Sequence, residues 1–317
     1  MLAAKAAVLL TVLLAVSFLS FLMLNLLPGC VECQILGPDN LDAEAVEAVR
    51  DELRLDDPLP VRYAAWLGDA VTGDLGQSYY TKQDVTDAVV ERLPVTVEIV
   101  LVSMTMALLV SIPLGMVTAY RAGGLLDRVV TGVTFGMLAI PSFMMALLLI
   151  YLFAVEWGWF PATGWTRLTE DPGENFRSVF MPALSLAMVN IAVFTRLLRT
   201  DMIATLQEDH VLLARSKGLP TWRILLRHAL RPSSFSLLTV SALTVGNLLG
   251  GAVIVEQLFA LPGIGRLLFD AIFQRDLMMV QGVVLVITTG FVVINVLVDV
   301  LYAVLDPRLR TGRASHG

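Results

Sequence analysis

The sequence predicts an all-α protein that crosses a membrane six times and keeps both termini in the cytoplasm. Of its 317 residues, 56% are hydrophobic and only 16% are charged, and the mean hydropathy is +0.76. Soluble domains carry roughly 25% charged residues, so this composition excludes an ordinary soluble enzyme. The net charge of −6 argues against nucleic acid as a partner, because phosphate binding needs a concentrated basic face.

Six apolar segments are long enough to cross the hydrocarbon core of a bilayer, which takes about 20 mostly apolar residues. The first has no charged residue and is too long for the apolar core of a secretory signal, so we predict a retained helix. Its removal at a lipoprotein site before Cys30 is a weaker alternative, because Pro28 fits such a site poorly. The six segments are 6–27, 95–119, 129–154, 178–199, 236–257 and 279–304.

The charges between these segments predict the orientation and the domain organisation. Lys and Arg collect on the cytoplasmic side of membrane proteins, and here they lie before the first segment, in alternate loops and in the tail. The stretch 28–94 instead has fourteen acidic and five basic residues, which places it outside. The predicted parts are a first transmembrane helix 1–27, an extracytoplasmic segment 28–94, a five-helix core 95–305 containing a cytoplasmic loop 200–231, and a cytoplasmic tail 306–317.

The outer segment is predicted to contain short helices without an independent core. Apolar residues recur at helical spacing near 41–53, 61–71 and 85–93, and Pro94 is expected to open the second span as its first helical residue. Cys30 and Cys33 form a C-x-x-C pair there, for which a local disulfide and two free thiols both stay open. No further ligand is near in sequence, so no metal site is expected.

The cytoplasmic loop 200–231 is too polar to enter lipid, yet its pattern predicts two short helices. The first ends at Gly218, a residue typical of helix C-termini, and Pro220 prevents simple continuation. The second, 222–230, carries Arg223, Arg227 and Arg231 on one face. That face suits anionic lipid headgroups, whereas the helix–glycine–helix unit as a whole has the form of a docking site with no partner inside the chain.

Proline and glycine mark further features of the spans. Pro113, Pro141 and Pro182 fall within spans or at their edges and are expected to bend the helices. At the outer end of the fifth span, a turn follows an acidic residue, and it is interpreted equally as a gate at a translocation mouth or as a packing turn. The residues of this turn are Glu256, Pro262, Gly263 and Gly265.

The sequence shows no catalytic residues. It lacks the G-x-x-x-x-G-K-[ST] phosphate loop, so it does not hydrolyse a nucleotide by that route. Ionisable residues are scarce within the spans, although a proton- or sodium-coupled carrier places them at the midplane. A self-contained channel or secondary carrier and a membrane scaffold are therefore weaker alternatives. The polar residues that could line a pathway or bond between helices are Asn190, Asn295 and Asp299.

Runs of residues along nearly the whole chain resemble the permeases of ATP-binding-cassette (ABC) importers in the dipeptide, oligopeptide and nickel group. The loop carries 208–219 (EDHVLLARSKGL) and 225–231 (LLRHALR). The order and spacing are most similar to the peptide-importer "B" permease. The other runs are 25–29 (NLLPG), 73–76 (GDLG), 91–94 (ERLP), 140–143 (IPSF), 250–256 (GGAVIVE), 261–265 (LPGIG), 275–276 (RD), 280–282 (VQG), 295–299 (NVLVD) and 305–310 (LDPRLR).

The resemblance implies a type I ABC importer permease fold in the bacterial plasma membrane, together with a set of partners. In this family the permease pairs with a second, homologous permease and with two cytoplasmic ATPase subunits, and an external substrate-binding protein delivers the cargo. ATP and Mg²⁺ would bind to the ATPase subunits, and no cofactor to this chain. Di- and oligopeptides are the expected cargo, with nickel or another small cargo as the alternative.

The resemblance also places a coupling helix, which receives the movement of the ATPases, at about 207–218. The chain departs from the broader family where Leu212, Leu213 and Ala214 replace a frequent Glu-Ala-Ala, and where 30–33 (CVEC) replaces an acidic-proline sequence. These departures leave the docking role in place but no specific ion pair. The residues assigned to coupling are Glu208, Asp209, His210, Leu213, Ala214, Lys217 and Gly218.

Overall fold

The computed structural model describes residues 2–26, 46–47, 50–51, 54–78 and 80–305, with the side chains of 2–7, 23–26 and 299–305 outside the description. Within these residues the regular structure is helical, apart from one isolated antiparallel bridge between Gln77 and Asp84. The predicted all-α class is therefore confirmed.

The helices follow one another through most of the described chain. Two of them include π-helical turns, Ile150–Glu156 at the end of α5 and Ile224–Ala229 near the start of α8. The helices are α1 Leu2–Leu26, α2 Leu59–Thr72, α3 Val85–Tyr120, α4 Leu125–Ala139, α5 Ser142–Glu156, α6 Pro172–Thr205, α7 Asp209–Ser216, α8 Thr221–Leu258, α9 Ile264–Gln274 and α10 Leu277–Leu305.

Four described helices are long and apolar enough to cross a membrane: α3, α6, α8 and the part Leu277–Val298 of α10. A fifth span results if α4 and α5, which meet at a bend of 103°, cross together. Helix α1 covers most of the first predicted span, but its described apolar part, Val8–Leu22, is shorter than the other spans. Helical structure is thus present at all six predicted spans, while the number of crossings stays a prediction.

Two predicted helix boundaries are wrong because neighbouring segments form continuous helices. Pro94 does not open the second span, since α3 begins at Val85 and runs through it for 36 residues. Asp84 caps this helix, and its Oδ1 accepts from the N–H of Thr86 at 2.7 Å. Likewise the predicted loop helix 222–230 is the beginning of α8. Pro94 removes one helical hydrogen bond, and the burial of Val89 before it and Val95 after it outweighs that loss.

The third predicted span is broken, as expected for a helix containing Pro141. Ile140 has φ −101° and ψ 120°, which is the extended conformation favoured before proline. Helix α5 begins directly after Pro141 and turns away from α4 by 103°. Pro113 and Pro182, in contrast, lie inside the continuous helices α3 and α6.

One compact unit combines Met1–Pro94 with Pro262–Val293. Gly282 allows close packing inside it, because a Cβ at this position would lie 2.5 Å from Cγ1 of Val85. Asp276 accepts a hydrogen bond from the Ser78 hydroxyl, which joins segments nearly two hundred residues apart in sequence. The buried apolar residues of its core are Leu75, Val85, Ala88, Val89, Ile264, Ala271, Met279 and Val283.

The other unit combines Val95–Leu261 with Ile294–Gly317. Its central helix is α6, which packs against α4, α5 and α8 and has 67% of its apolar window buried. Phe194, Leu198 and Met202 on this helix are fully buried. Gly115 on α3 faces Leu198, since a Cβ there would lie 3.0 Å from Cδ2 of that leucine. Helix α6 therefore fixes the position of the chain that follows it, including α7.

Candidate functional site

The short helix α7 connects α6 to α8 at the position predicted for the coupling helix. It covers Asp209–Ser216, two residues shorter at each end than the predicted 207–218. Glu208 precedes it in an extended conformation. Gly218 follows with φ 72°, a left-handed conformation that glycine adopts without strain, and its N–H donates to the carbonyl oxygen of Arg215 at 2.9 Å. The helix therefore ends by means of the glycine that the sequence indicated.

Helix α7 has a buried face and an exposed face. Val211 and Ala214 are 0% and 5% exposed and belong to the core of their unit, whereas Leu212 and Leu213 are 48% and 56% exposed. The expectation that the apolar surface of this loop has no partner inside the chain is therefore wrong for Val211 and Ala214. Val211 and Ala214 anchor α7 to the core, and Leu212 and Leu213 remain exposed on its surface.

The polar residues of α7 lie on its exposed side. The Nδ1 of His210 is 3.1 Å from Oε2 of Glu208, and its Nε2 is 3.3 Å from the carbonyl oxygen of His228. The second contact ties α7 to the first turns of α8. Of the residues assigned to coupling, one is buried, Ala214, and the others are exposed, namely Glu208, Asp209, His210, Leu213, Lys217 and Gly218.

Two glutamates near the ends of predicted spans, Glu256 and Glu98, accept hydrogen bonds from other segments of the chain. Glu256 is fully buried, and its Oε1 accepts from the Thr96 hydroxyl at 2.6 Å, which joins α8 to α3. Glu98, two residues further along α3, accepts from Trp165 Nε1 at 3.0 Å and from Asn175 Nδ2 at 2.8 Å. Buried polar groups need such partners, so both carboxylates hold helices together in this structure.

The turn after α8 is tight. Ala260 has a positive φ of 53°, and the N–H of Leu261 donates to the carbonyl oxygen of Glu256 at 2.9 Å. Pro262 follows, Gly263 directly precedes α9, and Gly265 is buried in its first turn. The glycines and the proline thus lie where one helix ends and the next begins, and their part in a gate stays a prediction.

The remaining predicted polar residues lie on two helices, Asn190 on α6 and the other two on α10. Asn190 donates from Nδ2 to the carbonyl oxygen of Leu186 in its own helix, at 3.0 Å. Asn295 is half-buried on α10. The side chain of Asp299 and the pair Cys30 and Cys33 lie outside the described residues. Among the residues that are described, no group of histidine, cysteine and carboxylate side chains could hold a metal ion.

A bidentate ion pair that was not predicted from the sequence joins two helices. Arg199 on α6 donates from Nε to Oδ1 of Asp127 at 2.6 Å and from Nη2 to Oδ2 at 2.8 Å. Asp127, on α4, is 4% exposed and also accepts from the N–H of Gly123 at 2.8 Å. Nearby on α6, the guanidinium of Arg196 lies 4.2 Å from the centre of the Phe135 ring.

A sequence signal for this pair existed. Arg196 and Arg199 lie at the end of the predicted fourth span, 178–199, and both are inside α6. A charged residue within an apolar helix needs a partner of opposite charge, and Asp127 is the acidic residue in the first turn of α4. Which acidic residue would face Arg199 depended on how α4 packs against α6, which the sequence does not state.

Several long apolar helices and a bent pair of apolar helices define the class of protein, a multi-pass membrane protein. The chain belongs to the family of binding-protein-dependent transport system inner membrane components, whose model matches residues 111–311. The N-terminal model of the same kind of membrane component matches residues 1–100. The chain is therefore a multi-pass inner-membrane component of a bacterial transport system.

Similar proteins align with almost the whole chain. A Brucella abortus (strain 2308) protein with the provisional name peptide transport system permease is 42% identical over 299 residues, covering 94% of this chain and 95% of that protein. The oligopeptide transport system permease AppB of Bacillus subtilis (strain 168) is 35% identical over 301 residues, with coverage of 94% and 95%. The glutathione transport system permease GsiC of Escherichia coli O6:H1 is 34% identical over 298 residues, with coverage of 94% for both chains.

Proposed function

We propose that this chain is a permease subunit of an ATP-driven importer that moves peptides across the bacterial inner membrane. Relatives aligned over nearly the full chain are named for the transport of peptides, oligopeptides and glutathione, and glutathione is itself a tripeptide. These names support di- and oligopeptides as the cargo class and give no support to nickel. The chain provides the passage and no ATPase site of its own.

The proposed assembly contains this permease, a second homologous permease, two cytoplasmic ATPase subunits that bind ATP and Mg²⁺, and an external substrate-binding protein. In it the chain crosses the membrane six times, with both termini inside and 28–94 outside. The family description, a membrane component that depends on a binding protein, supports the external partner. ATP binding and hydrolysis would then favour inward- and outward-facing arrangements of the spans in turn.

The observation that carries the proposal is the two-faced α7. Its buried residues, Val211 and Ala214, attach it to the helical core, and only short connections separate it from α6 and α8. Because these connections are short, a partner that binds Leu212 and Leu213 and displaces α7 also moves the two long helices. A rigid element with an exposed apolar patch is what a partner subunit needs in order to move the spans.

The docking role is tested by changing one exposed leucine. We expect Leu213→Asp to reduce co-purification of the ATPase subunits at least about ten-fold, because a buried apolar contact is replaced by an unpaired charge. Peptide uptake should fall with it. Leu168→Asp is the matched control, since Leu168 is a similarly exposed leucine, 58% accessible, in the loop before α6 on the predicted outer side. Wild-type ATPase recovery and uptake for Leu213→Asp would overturn the assignment.

Gly218→Pro tests the same helix through its backbone. Proline requires φ near −65°, whereas Gly218 has φ 72°, so the end of α7 cannot form as observed. We expect loss of both ATPase co-purification and uptake. A charge at the buried Ala214 should produce the same losses through displaced packing, so only Leu213→Asp separates docking from folding.

The cargo class requires transport by the reconstituted complex with its binding protein. We expect ATP-dependent accumulation of a labelled di- or oligopeptide in proteoliposomes, and none of nickel. Accumulation of nickel without peptide would reverse the cargo assignment while leaving the permease role intact.

A further inference from the structure

Aromatic side chains form a connected cluster where α5 ends and α6 begins. Phe153 lies at its centre, and the centre of its ring is 5.0 Å from that of Trp157 and 5.8 Å from that of Trp159. The rings of the two tryptophans are 4.7 Å apart. The ring contacts continue from Phe153 to Phe160, Phe180 and Phe176.

The backbone holds this cluster in place, yet several of its rings are exposed. The N–H of Trp159 donates to the carbonyl oxygen of Phe153 at 2.8 Å, which folds the chain back onto α5. Arg177 on α6 donates from Nη2 to the carbonyl oxygen of Trp159 at 3.1 Å. Trp157, Trp159 and Phe176 are nevertheless 51%, 57% and 58% exposed. Large rings exposed together on a fixed support indicate a surface that contacts something outside the chain.

The cluster lies at the border between apolar and polar sequence. Trp157 directly follows the apolar helix α5, and Phe176 lies two residues before the apolar segment 178–199 of α6. The stretch 166–174 (TRLTEDPGE) between them is polar. Because α6 is long and apolar enough to be a span, its apolar segment begins at a membrane surface. Phe176 is therefore within one helical turn of the level at which the hydrocarbon ends.

The exposed side of α5 leads to the same level. Met144, Leu148, Tyr151 and Val155 recur every three or four residues, and all four are exposed. These side chains form an apolar stripe along a membrane-embedded helix, and the exposed ring of Trp157 follows at its end. The surface of the cluster is thus continuous with a surface suited to hydrocarbon.

We propose that this cluster is an anchor in the membrane–water interface, with the exposed rings of Trp157, Trp159 and Phe176 among the glycerol and headgroup layers of the phospholipids. An indole ring has an apolar body and one N–H donor, which suits a layer containing both acyl carbons and ester or phosphate oxygens. Arg177, half exposed on the same border, suits the headgroup phosphate. The anchor fixes the depth at which α5 ends and α6 begins. The proposal depends on the membrane-spanning helices and not on the cargo or on docking at α7.

A protein partner is the other kind of molecule that could cover these rings. A soluble external protein would approach the polar stretch 166–174 from the water, whereas the rings adjoin the apolar stripe of α5. The continuity with that stripe favours lipid. A second permease subunit would contact the rings from within the membrane, and the experiments below distinguish it from lipid.

The first test uses tryptophan fluorescence of the full chain in vesicles of phosphatidylcholine with brominated acyl chains. We expect bromine near the headgroup end of the acyl chain to quench Trp157 and Trp159 at least about three-fold more than bromine near the methyl end. The chain has five tryptophans, so the emission is restricted to this pair by phenylalanine substitutions. The substitutions are Trp66→Phe, Trp165→Phe and Trp222→Phe.

The matched control is Leu168→Trp in a chain whose other tryptophans are all replaced by phenylalanine. Leu168 is a similarly exposed residue in the polar part of the same loop, so its tryptophan should be quenched by aqueous acrylamide and only weakly by either lipid. The same behaviour for Trp157 and Trp159 would place their rings in water and overturn the proposal. Stronger quenching by the bromine near the methyl end would overturn it as well, because the rings would then lie inside the hydrocarbon.

The second test examines the assembled transporter in intact cells and leaves the rest of the chain unchanged. Photoreactive benzoylphenylalanine replaces Trp159, and mass spectrometry identifies the products of irradiation. We expect phospholipid adducts on the peptide that contains position 159. Cross-links to a second permease or to an external binding protein in place of lipid adducts would assign the cluster to a protein interface and overturn the proposal.

Discussion

The ion pair between Asp127 and Arg199 shows how charged residues are accommodated in apolar helices. Two parallel hydrogen bonds of 2.6 and 2.8 Å, together with the backbone N–H of Gly123, occupy the acceptors of a carboxylate that is almost fully buried. Pairing of this quality offsets the cost of removing both charges from water. The pair joins α4 to α6 nearly two turns before α6 ends at Thr205, close to the start of α7.

We expect Asp127→Ala to destabilise the protein by about 3 kcal/mol, because Arg199 keeps its charge in a partly buried site without a partner. The measurement is the thermal unfolding midpoint of the purified chain in detergent. Arg128→Gln, which changes the exposed neighbouring charge, is the control and should leave the midpoint within about one degree. Exchange of the charges, Asp127→Arg with Arg199→Asp, should recover part of the loss, and an unchanged midpoint for Asp127→Ala would contradict the structural role.

At the scale of helices, one proline interrupts a helix while another lies inside a continuous one. Pro141 separates α4 from α5 by a bend of 103°, whereas Pro182 is buried inside the continuous α6. Each proline removes one backbone hydrogen bond, so the difference lies in the surroundings. Helix α6 is held on several sides by α4, α5 and α8, and this packing outweighs the missing bond. The sequence located the prolines, but not which of them interrupts a helix.

Close packing at Gly282 leads to a prediction for helix α10. We expect Gly282→Ala to destabilise the protein by about 1–3 kcal/mol, because its Cβ would lie 2.5 Å from Cγ1 of Val85 and 3.4 Å from Cβ of Leu75. The thermal unfolding midpoint of the purified chain measures this effect. Gly136→Ala on α4 is the control, since a Cβ there meets no atom within 4 Å. If Gly282→Ala lowers the unfolding midpoint no more than Gly136→Ala does, the structure adjusts to the added Cβ at no cost and the prediction is wrong.

For the whole molecule, the number and direction of the crossings follow from helices, hydropathy and charge together. In the part of the chain that the structure describes, four helices qualify as spans by themselves, and the bent pair α4–α5 either crosses the membrane or enters and leaves on one side. The side on which the loop before α6 lies decides between these arrangements. Because α6 is a full-length span, the same loop also fixes the side on which α7 lies.

Thiol labelling tests this topology in a background that lacks Cys30 and Cys33. We expect an impermeant reagent to label cysteines placed at Thr81 and Leu168 in intact spheroplasts, and those at Arg121 and Ser216 only after permeabilisation. All four positions are exposed, so accessibility depends on the side of the membrane. Labelling of Arg121 and Leu168 from the same side would show that α4 and α5 do not cross. Reversal of all four results would invert the predicted orientation.

The sequence by itself determined that the chain is helical and membrane-embedded, which segments are apolar, and that a short helix ends at Gly218. These properties depend on composition, local spacing and single residues such as glycine, so they can be recognised along the chain. Only the tertiary structure decided that Ala214 is buried while Leu213 is exposed, that Arg199 pairs with Asp127, and that Ser78 meets Asp276. Those features arise when helices distant in sequence pack together, and a local pattern holds no information about which of their faces meet.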